Sequence, residues 1–457
     1  MKNRFLIIMI FFGLHASMAW GQIDDDLEYD NFKINPSDIG AAGDAIVNRY
    51  RLGDGIRFTT LNNSYGITFT GYLQTNLVLH NFPTDDNIYD RWRVRRARFR
   101  MQGYAMGNKI RYRLGIDMVK GSETDEDIGS LLSDAWIQYR PFDNNKFVIT
   151  VGQRGNPSDN RELMMSSYSL QFNERSKLSS LFGTTREIGI FTESTLKIGK
   201  ESYLRPSFAL TDGDGPISIG RRYGGLKAGA RVNYLPFGLF RISGETRQGD
   251  MVYELAPKLS IGVAYSYNSG TSDRRGGREN GAILYRNDLG NYDLPDYGKL
   301  VADFLFKYRG WSFLGEFAKS WAYVPTTIST RVRNDGSTTT NFEIDGVQHI
   351  ENYIRNRMVL GTAFNIQGGY MFRNFWSVDA RYTYLKPDTY SYMNNDLYYK
   401  RNNIYEISAS KYLSKSYAVK IQGTFGLIQT DGVVRKFNDE LYDGWEKHFN
   451  IMLQLAF

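Results

Sequence analysis

The sequence contains no cysteine and very little histidine. Its 457 residues include no Cys and only four His. The absence of cysteine excludes disulfides, thiolate metal sites and cysteine nucleophiles. Beyond the N-terminal leader described below, the histidines are His80, His349 and His448, which are far apart and lack the carboxylate spacing of a zinc site. We therefore predict neither a metal site nor a cofactor.

Long apolar runs are also missing, apart from one short stretch at the N-terminus. Residues 1–21 begin with a positive end that carries Lys2 and Arg4, continue with an apolar stretch over 5–14, and finish in small residues. This is the layout of a secretory signal peptide. The apolar stretch is shorter than the roughly 18–20 residues of a membrane-spanning helix. The sequence thus predicts an exported chain whose mature form starts near Gln22.

The charge balance gives no reason to expect a nucleic-acid partner. The formal net charge is +7, and removal of the leader with Lys2 and Arg4 lowers it to +5. A nucleic-acid-binding protein normally has a broader basic bias and a recognisable module. For an exported chain, the remaining classes are a soluble secreted or periplasmic protein, a surface protein and an outer-membrane β-barrel. A barrel needs an apolar residue only at every second position.

Aromatic residues are abundant, with 32 Tyr and 28 Phe, and many fall in alternating segments. In the last segment, EKHFNIMLQLAF, every second residue from Phe449 to Phe457 is apolar, whereas Asn450 and Gln454 lie on the other face. The segments VDARYTYL, AVKIQGTFG and KIRYRLGIDM alternate in the same way. A period of two predicts strands with two different faces, as in a sandwich or a barrel.

The connections between these segments favour a membrane barrel over a soluble sandwich. Short turns flanked by aromatics, as in NYLPFGLFRISG and FKYRGWSFLGEF, alternate with long polar stretches at 268–298, 322–358 and 429–445. Outer-membrane barrels have short periplasmic turns, long extracellular loops and aromatic girdles at both interfaces. The patterned runs give about eighteen strands of roughly ten residues, the pair around 239–256 being the weakest. We predict an all-β, transmembrane antiparallel β-barrel in the bacterial outer membrane.

The predicted organisation has three regions. Residues 1–21 are the signal peptide. Residues 22–55 contain the acidic stretch IDDDLEYD and the turn-rich stretch NPSDIGAAGD. They predict either an arm or plug-like extension in the periplasm, or a partly disordered segment. Residues 56–457 are the barrel.

One strand carries an unusual arginine run. Residues 91–100 read RWRVRRARFR, with six arginines in ten positions. Arg96, Arg98 and Arg100 lie opposite apolar residues, and lipid-facing arginine costs about 2–4 kcal/mol near the midplane, so these three must face the lumen. The earlier arginines follow the opposite parity. A β-bulge at Arg95–Arg96, or a change there from loop to strand, would turn both sets inward.

Inward-facing arginines in a barrel have a chemical consequence. Arg111 and Arg113 on the next strand add to the same interior. Guanidinium groups stay charged at physiological pH, and their planar forks match the oxygens of phosphate-like anions. A ladder of them raises the local concentration of anions and repels cations. The alternative is that these arginines pair with acidic residues and only stiffen the barrel, with Asp117, Asp134 and Glu162 as available partners.

The order of several motifs resembles the phosphate-selective porin O and P family. The motifs are GYLQTNLVLH (71–80), RRARFRMQG (95–103), DAWIQY (134–139), VGQRGNP (151–157), FNERS (172–176), REIGI (186–190), PKLSIGVAYSYN (257–268), GEFAKSW (315–321) and GGYMFRNFWSVDARYTYLKP (368–387). The resemblance covers most of the mature chain, and the loops are least alike.

This resemblance implies a homotrimer of barrels that are usually sixteen-stranded, so the combined prediction is 16–18 strands. It implies passive diffusion of small anions, such as phosphate, past a constriction loop folded into the pore near 154–185. The implied anion-pathway residues are Arg95, Arg96, Arg98 and Arg100, and less directly Arg111 and Arg113. The candidates in or beside the loop are Arg154, Arg175, Lys177 and Arg186. A lysine cluster that would confer phosphate selectivity cannot be placed by motif.

Two other functions compete with the anion channel. An outer-membrane scaffold or interaction protein would make the pore incidental, and its acidic N-terminal region and long loops would bind partners. A barrel enzyme would need a Ser/His or Asp/His constellation at the rim. The sequence context of His80, His349 and His448 names no nucleophile, so we predict no enzymatic activity. The expected partners are small anions, outer-membrane lipid and further copies of the chain, without nucleic acid.

Overall fold

A computed structural model describes most of the chain beyond its N-terminal region. The described residues are 46–60, 62–83, 87–119, 131–142, 146–184, 186–213, 223–272, 284–333, 336–394, 400–434 and 441–457. The predicted signal peptide and residues 22–45 of the predicted N-terminal region lie outside the described residues.

Strands account for most of the described chain. They are β1 (Ile46–Arg51), β2 (Gly55–Thr60), β3 (Gly66–Asn81), β4 (Tyr89–Ala105), β5 (Ile110–Asp117), β6 (Leu132–Tyr139), β7 (Phe147–Arg154), β8 (Glu187–Ser194), β9 (Leu196–Lys197), β10 (Tyr203–Thr211), β11 (Lys227–Leu235), β12 (Lys258–Asn268), β13 (Tyr285–Asn287), β14 (Asp296–Tyr308), β15 (Trp311–Tyr323), β16 (Ile328–Val332), β17 (Thr338–Thr339), β18 (Glu343–Ile344), β19 (Val347–Gln348), β20 (Gly361–Met371), β21 (Trp376–Pro387), β22 (Asn403–Ser414), β23 (Ser416–Val434) and β24 (Leu441–Ala456).

Helices are few and short. They are α1 (Arg161–Met164), α2 (Lys177–Phe182) and α3 (Ile350–Arg355), with single 3-10 turns at Ser167–Ser169, Gly244–Thr246 and Tyr392–Asn394. None of the helices in the described ranges has the length and apolar character needed to cross a membrane.

Sixteen antiparallel strands close into a barrel. They are β3–β8, β10–β12, β14, β15 and β20–β24, with β9 continuing the edge that β8 presents to β10. The ring closes where β24 pairs with β3, in a register that places Leu455 opposite Leu73. The last residue completes this seam, because Phe457 and Gly71 exchange backbone hydrogen bonds of 2.9 and 3.1 Å. The predicted fold class is confirmed at the lower end of its range.

The extra strand pair expected around 239–256 is wrong. After β11, residues 236–257 form turns and the 3-10 turn Gly244–Thr246 instead of strands. Phe240 is buried among other protein groups, whereas Leu239 and Leu255 are exposed. The alternation of this segment therefore does not mark a strand of the ring.

The barrel wall has the two faces that the sequence predicts. On β24, Leu453 and Leu455 are more than half exposed on the outside, whereas Met452 and Gln454 are buried. Tyrosine and tryptophan side chains stack on the outer surface, for example Tyr265 with Trp321. A closed barrel with an apolar exterior and aromatic belts is the arrangement of proteins in the bacterial outer membrane.

The wall is much lower on one side. Strands β5, β6, β7 and β8 have eight residues each, whereas β3, β4 and β24 have sixteen or seventeen. With about 3.4 Å per residue and a tilt of about 40°, the two walls rise about 20 and 40 Å. The apolar band of such barrels is about 25 Å tall, so the low wall is shorter than that band.

Segments from both ends enter the barrel. Residues 155–184, between β7 and β8, carry α1 and α2 and are largely buried. Residues 236–257, between β11 and β12, enter from the opposite end. The two segments meet where Thr246 O accepts from Ser166 N at 3.0 Å and Gln248 Oε1 accepts from Gln171 N at 2.7 Å.

The outer loops and the N-terminal hairpin lie beside the closed ring. Strands β13, β16 and β17 form a small sheet, β18 pairs with β19, and the outer loops share an apolar core that includes Tyr285, Phe342 and Ile354. At the other end, β1 and β2 form a hairpin that, among the described strands, pairs with the first residues of β3. The boundary predicted at residue 55 falls within this hairpin.

Candidate functional site

The arginine strand contains the predicted β-bulge. Gln74 on β3 pairs with Arg96, and the next residue, Thr75, pairs with Val94, so Arg95 has no counterpart in the register. A single extra residue reverses the parity of a strand. Arginines before and after the bulge therefore face the same lumen, and the prediction of a bulge at Arg95–Arg96 is confirmed.

Three of these arginines bind one carboxylate on residues 155–184, the segment between β7 and β8, which we call the inserted segment. Arg95 forms a bidentate pair with Glu174 that includes an Nη2–Oε2 distance of 2.9 Å. Arg96 Nη2 lies 2.9 Å and Arg93 Nη2 lies 3.5 Å from the same carboxylate. Burial disfavours the charged form of Glu174, but the charges of Arg96, Arg95 and Arg93 outweigh burial and lower its pKa to about 2.

The next two arginines differ in their partners. Arg98 donates from Nε to Asp117 Oδ2 at 2.6 Å and from Nη1 to Ser167 Oγ at 2.8 Å. Arg100 has no side-chain hydrogen bond or ion pair with any residue in the described ranges, and it interacts electrostatically with Arg113 and Asp134. Arg95, Arg96 and Arg98 therefore hold the inserted segment against the wall, whereas Arg100 does not.

A water-accessible cavity of about 1130 Å³ lies beside these residues, between the inserted segment and the wall from β3 to β11. Seven arginines line it: Arg57, Arg111, Arg113, Arg154, Arg161, Arg186 and Arg205. Three carboxylates line it: Asp134, Glu193 and Glu245. The lining thus carries a clear excess of positive charge.

Four of the seven arginines are neutralised by carboxylates. Arg186 Nε lies 3.0 Å from Asp134 Oδ1, and Arg154 Nη1 lies 2.5 Å from Glu193 Oε1. Arg205 pairs with Glu245, and Arg161 Nε lies 2.5 Å from Asp303 Oδ1. These pairs leave little net charge at their own positions, so the excess positive charge comes from the remaining three.

Arg57, Arg111 and Arg113 have no carboxylate within ion-pair distance in the described ranges. Each donates from Nε to a neutral side-chain oxygen: Arg57 to Thr68 Oγ1 at 3.4 Å, Arg111 to Asn108 Oδ1 at 2.7 Å and Arg113 to Gln102 Oε1 at 3.1 Å. The Arg113 guanidinium also lies over the Trp136 ring, 5.1 Å from its centroid.

Two predicted loop residues lie outside the cavity lining. Arg175 donates to two backbone carbonyls of its own segment, Glu162 O at 3.1 Å and Met165 O at 2.8 Å. Lys177 is the first residue of α2 and is half-buried. Arg175 thus contributes to the fold of the inserted segment. Of the four loop candidates, the cavity brings together only Arg154 and Arg186.

The inward-facing lysines hold backbone and carboxylate oxygens. Lys420 donates to Leu170 O at 3.0 Å, and Lys299 donates to Asp159 Oδ1 at 2.6 Å. Lys307 donates to the carbonyls of Gly244 and Gly249 at 2.8 Å each, and Lys227 pairs with Glu187. All four are buried. Inward parity was the only sequence signal for them, and it does not identify their partners.

Paired charges also fill the lumen beyond the cavity, and they begin at Arg161 in the cavity lining. Asp303 binds both Arg161 and Arg231, and Arg381 binds Glu406 with an Nη2–Oε2 distance of 2.5 Å. Of the acidic partners suggested by the sequence, Asp117 and Asp134 pair with Arg98 and Arg186. Glu162 instead accepts from the amide and hydroxyl of Ser176 and lies 3.8 Å from Arg381.

Comparison with known proteins gives only weak similarities. No family model and no curated protein matches the chain. Among solved structures, an anion-selective porin from Comamonas acidovorans aligns at 10% identity and a TM-score of 0.47, over 86% of this chain and 100% of that one. The outer membrane channel DcaP of Acinetobacter baumannii aligns at 12% identity and a TM-score of 0.47, over 88% and 100%. Pseudomonas putida OprB aligns at 10% identity and a TM-score of 0.47, over 86% and 94%. These values identify neither a family nor an activity for this chain.

Proposed function

We propose that the chain is an outer-membrane porin through which small anions, phosphate among them, diffuse passively along the arginine-lined cavity. The observation that carries the proposal is the composition of the cavity lining, seven arginines against three carboxylates inside a closed barrel. The resemblance of the sequence to the phosphate-selective porin O and P family supports the same proposal.

The physical argument rests on fixed positive charge in a confined volume of water. Guanidinium groups do not deprotonate at physiological pH. A cleft lined by one sign of charge, with walls of low dielectric constant, concentrates counterions and repels ions of like charge. Arg111 and Arg113 together with Arg154 and Arg186 line this cavity, so an anion meets several guanidinium groups in succession.

The anion-pathway residues divide into two groups in this proposal. Arg111 and Arg113 contact the permeating anion directly, and Arg100, which interacts electrostatically with Arg113, adds its charge from outside the cavity lining. Arg95, Arg96 and Arg98 act through the inserted segment, because their guanidinium groups are occupied by Glu174 and Asp117. The first group thus supplies positive charge to the pore, and the second group holds the inserted segment that forms one of its walls.

We further propose that the barrel is a homotrimer joined along the low wall of β5–β8. That wall is shorter than the apolar band of a membrane barrel, so lipid alone does not match it. Its exterior is apolar, with Ile137, Val151 and Ile190 each about half exposed or more. The same surface on further copies of the chain would cover it, while the tall wall faces outer-membrane lipid.

A planar-bilayer experiment tests the proposed function. Purified protein under a tenfold KCl gradient should give a zero-current potential with the sign of the chloride equilibrium potential, because the positively charged lining excludes potassium. A zero-current potential with the sign of the potassium equilibrium potential would contradict the proposal. Absence of any conductance, together with co-purification in a complex, would favour the scaffold alternative.

A further inference from the structure

We infer that Arg57, Arg111 and Arg113 form a binding site for a doubly charged polyatomic oxyanion at the end of the cavity nearest the short turns. This inference rests on the proposed porin function, and it names a ligand class and one residue, Arg57, that lies outside the barrel ring. Three observations support it: the register of the strands, the partners of the guanidinium groups, and the local charge.

The register places the site in one row across adjacent strands. Arg57 on β2 pairs with Thr68 on β3, Thr68 pairs with Gln102 on β4, and Gln102 pairs with Arg113 on β5. Neighbouring strands are about 4.8 Å apart, so the two arginines stand about 14 Å apart at their backbones. Two neutral polar residues separate them.

The hydrogen bonds direct both guanidinium groups toward the middle of this row. Arg57 Nε donates to Thr68 on β3 and Arg113 Nε donates to Gln102 on β4, so each side chain leans toward the strand next to it in the row. The Nε bond fixes the plane of a guanidinium and leaves its two Nη groups for other acceptors. Two such forks on either side of a tetrahedral oxyanion can each bind two of its oxygens.

The local charge favours a divalent anion. Arg111 lies two residues from Arg113 on the same face of β5, and its Nε is likewise bound to a neutral oxygen, that of Asn108. Three guanidinium groups are thus present without a carboxylate partner in the described residues, whereas the other four arginines of the cavity are paired. A dianion gains roughly twice the Coulomb energy of chloride at the same distance.

Trp136 continues the row on β6 and provides an optical signal. It pairs with Arg113 in the register, and the guanidinium lies over its ring. An anion that binds the Arg113 Nη groups changes the field at this indole. Sulfate is a suitable probe because it is a tetrahedral dianion whose charge is constant at neutral pH.

The experiment measures sulfate block of the chloride current and sulfate-dependent tryptophan fluorescence of the full-length protein. Sulfate should reduce the chloride current of the wild type in a saturable way. Arg57→Gln should raise the half-blocking concentration at least tenfold, and Arg57→Lys, which keeps the charge but loses the fork, should raise it several-fold. Arg51→Gln is the matched control, because it removes the same charge from the same hairpin but from a residue outside the cavity lining; its block should equal that of the wild type.

The outcomes separate this site from the proposed function. An anion-selective wild type whose sulfate block is absent, or unchanged by Arg57→Gln, would overturn the site and leave the porin proposal standing. If the protein does not conduct, the fluorescence titration with sulfate still shows whether the oxyanion site exists. A saturable change that is lost in Trp136→Phe and weakened in Arg57→Gln supports the site, and no change in the wild type overturns it.

Discussion

Arginine has two roles in this barrel, and the partner of each side chain decides which role it takes. Arg95 and Arg96 are bound to Glu174, and so they fasten the inserted segment. Arg111 and Arg113 donate to amide oxygens and have no carboxylate partner among the described residues, so their charge is available to the cavity. Alternation together with a β-bulge at Arg95–Arg96 predicts that all four face inward. Glu174 is 79 residues from Arg95 along the chain, so no local pattern reveals the pairing.

Replacement of Glu174 by Gln tests the first role. The change leaves Arg93, Arg95 and Arg96 close together without their shared counter-charge, so the barrel should lose about 1.5–3 kcal/mol of stability. The net charge of the lumen also becomes more positive by one, so the zero-current potential under a KCl gradient should move closer to the chloride equilibrium potential. Thermal melting in detergent and bilayer recordings measure the two effects. Glu201→Gln, at an exposed carboxylate, should change neither.

The pH dependence of this contact follows from the lowered pKa of Glu174. A carboxyl group whose folded pKa lies below its unfolded value stabilises the fold above the unfolded value, about 4.3, and loses that contribution only as the pH falls through about 2. The inserted segment should therefore stay in place at pH 4. Equal single-channel conductance at pH 7 and pH 4 is expected, and a large stepwise increase at pH 4 would contradict the assignment.

The inserted segments show why elements were harder to predict than the fold. The period of two predicts strands with one lipid face and one lumen face, and the ring has them, but counting the patterned runs gives about eighteen where the ring has sixteen. Residues 236–257 carry similar apolar spacing, yet Phe240 and the backbone around Gly244 pack against barrel strands from inside. Burial against protein and burial against lipid select the same residue types, so the sequence does not distinguish them.

Lys307→Met tests the anchoring of residues 236–257. Lys307 donates to the carbonyls of Gly244 and Gly249, and its loss removes one charge-assisted hydrogen bond from each, at about 1.5–3 kcal/mol per bond. Gly249 O still accepts from the Tyr417 hydroxyl, so the segment loosens without being released. The segment should loosen, which lowers the melting temperature and raises the single-channel conductance. Lys415→Met, at an exposed turn, serves as the control. Unchanged conductance in Lys307→Met would mean that other contacts hold the segment.

At the scale of the whole molecule, the barrel is asymmetric. The lumen beside β12–β24 is filled by paired charges and inserted chain, and the cavity follows the wall from β3 to β11. The low wall of β5–β8 belongs to this same side. The sequence predicts a barrel of 16–18 strands and the facing of their residues, but it does not predict which half is filled, because that depends on contacts between residues far apart along the chain.

Ile137→Arg tests the proposed trimer contact on the low wall. An arginine between copies of the chain should separate the trimer into monomers that still fold. The control, Ile407→Arg on β22, lies outside the low wall and places the charge in lipid, at a cost of about 2–4 kcal/mol. The first variant should lower the mass measured by analytical ultracentrifugation, and the second should reduce membrane insertion. A wild type that is already monomeric, or an Ile137→Arg protein of unchanged mass, would refute the contact.

The most direct test of the central claim uses the absence of cysteine in the chain. Ser207→Cys places one thiol in the cavity lining, where a negatively charged methanethiosulfonate reagent adds a fixed anion. Ser408→Cys, in the packed half of the lumen, is the control. After modification, the zero-current potential of Ser207→Cys under a KCl gradient should shift toward the potassium equilibrium potential, and that of Ser408→Cys should not. If modification at Ser207 leaves the potential unchanged, anions do not pass through this cavity.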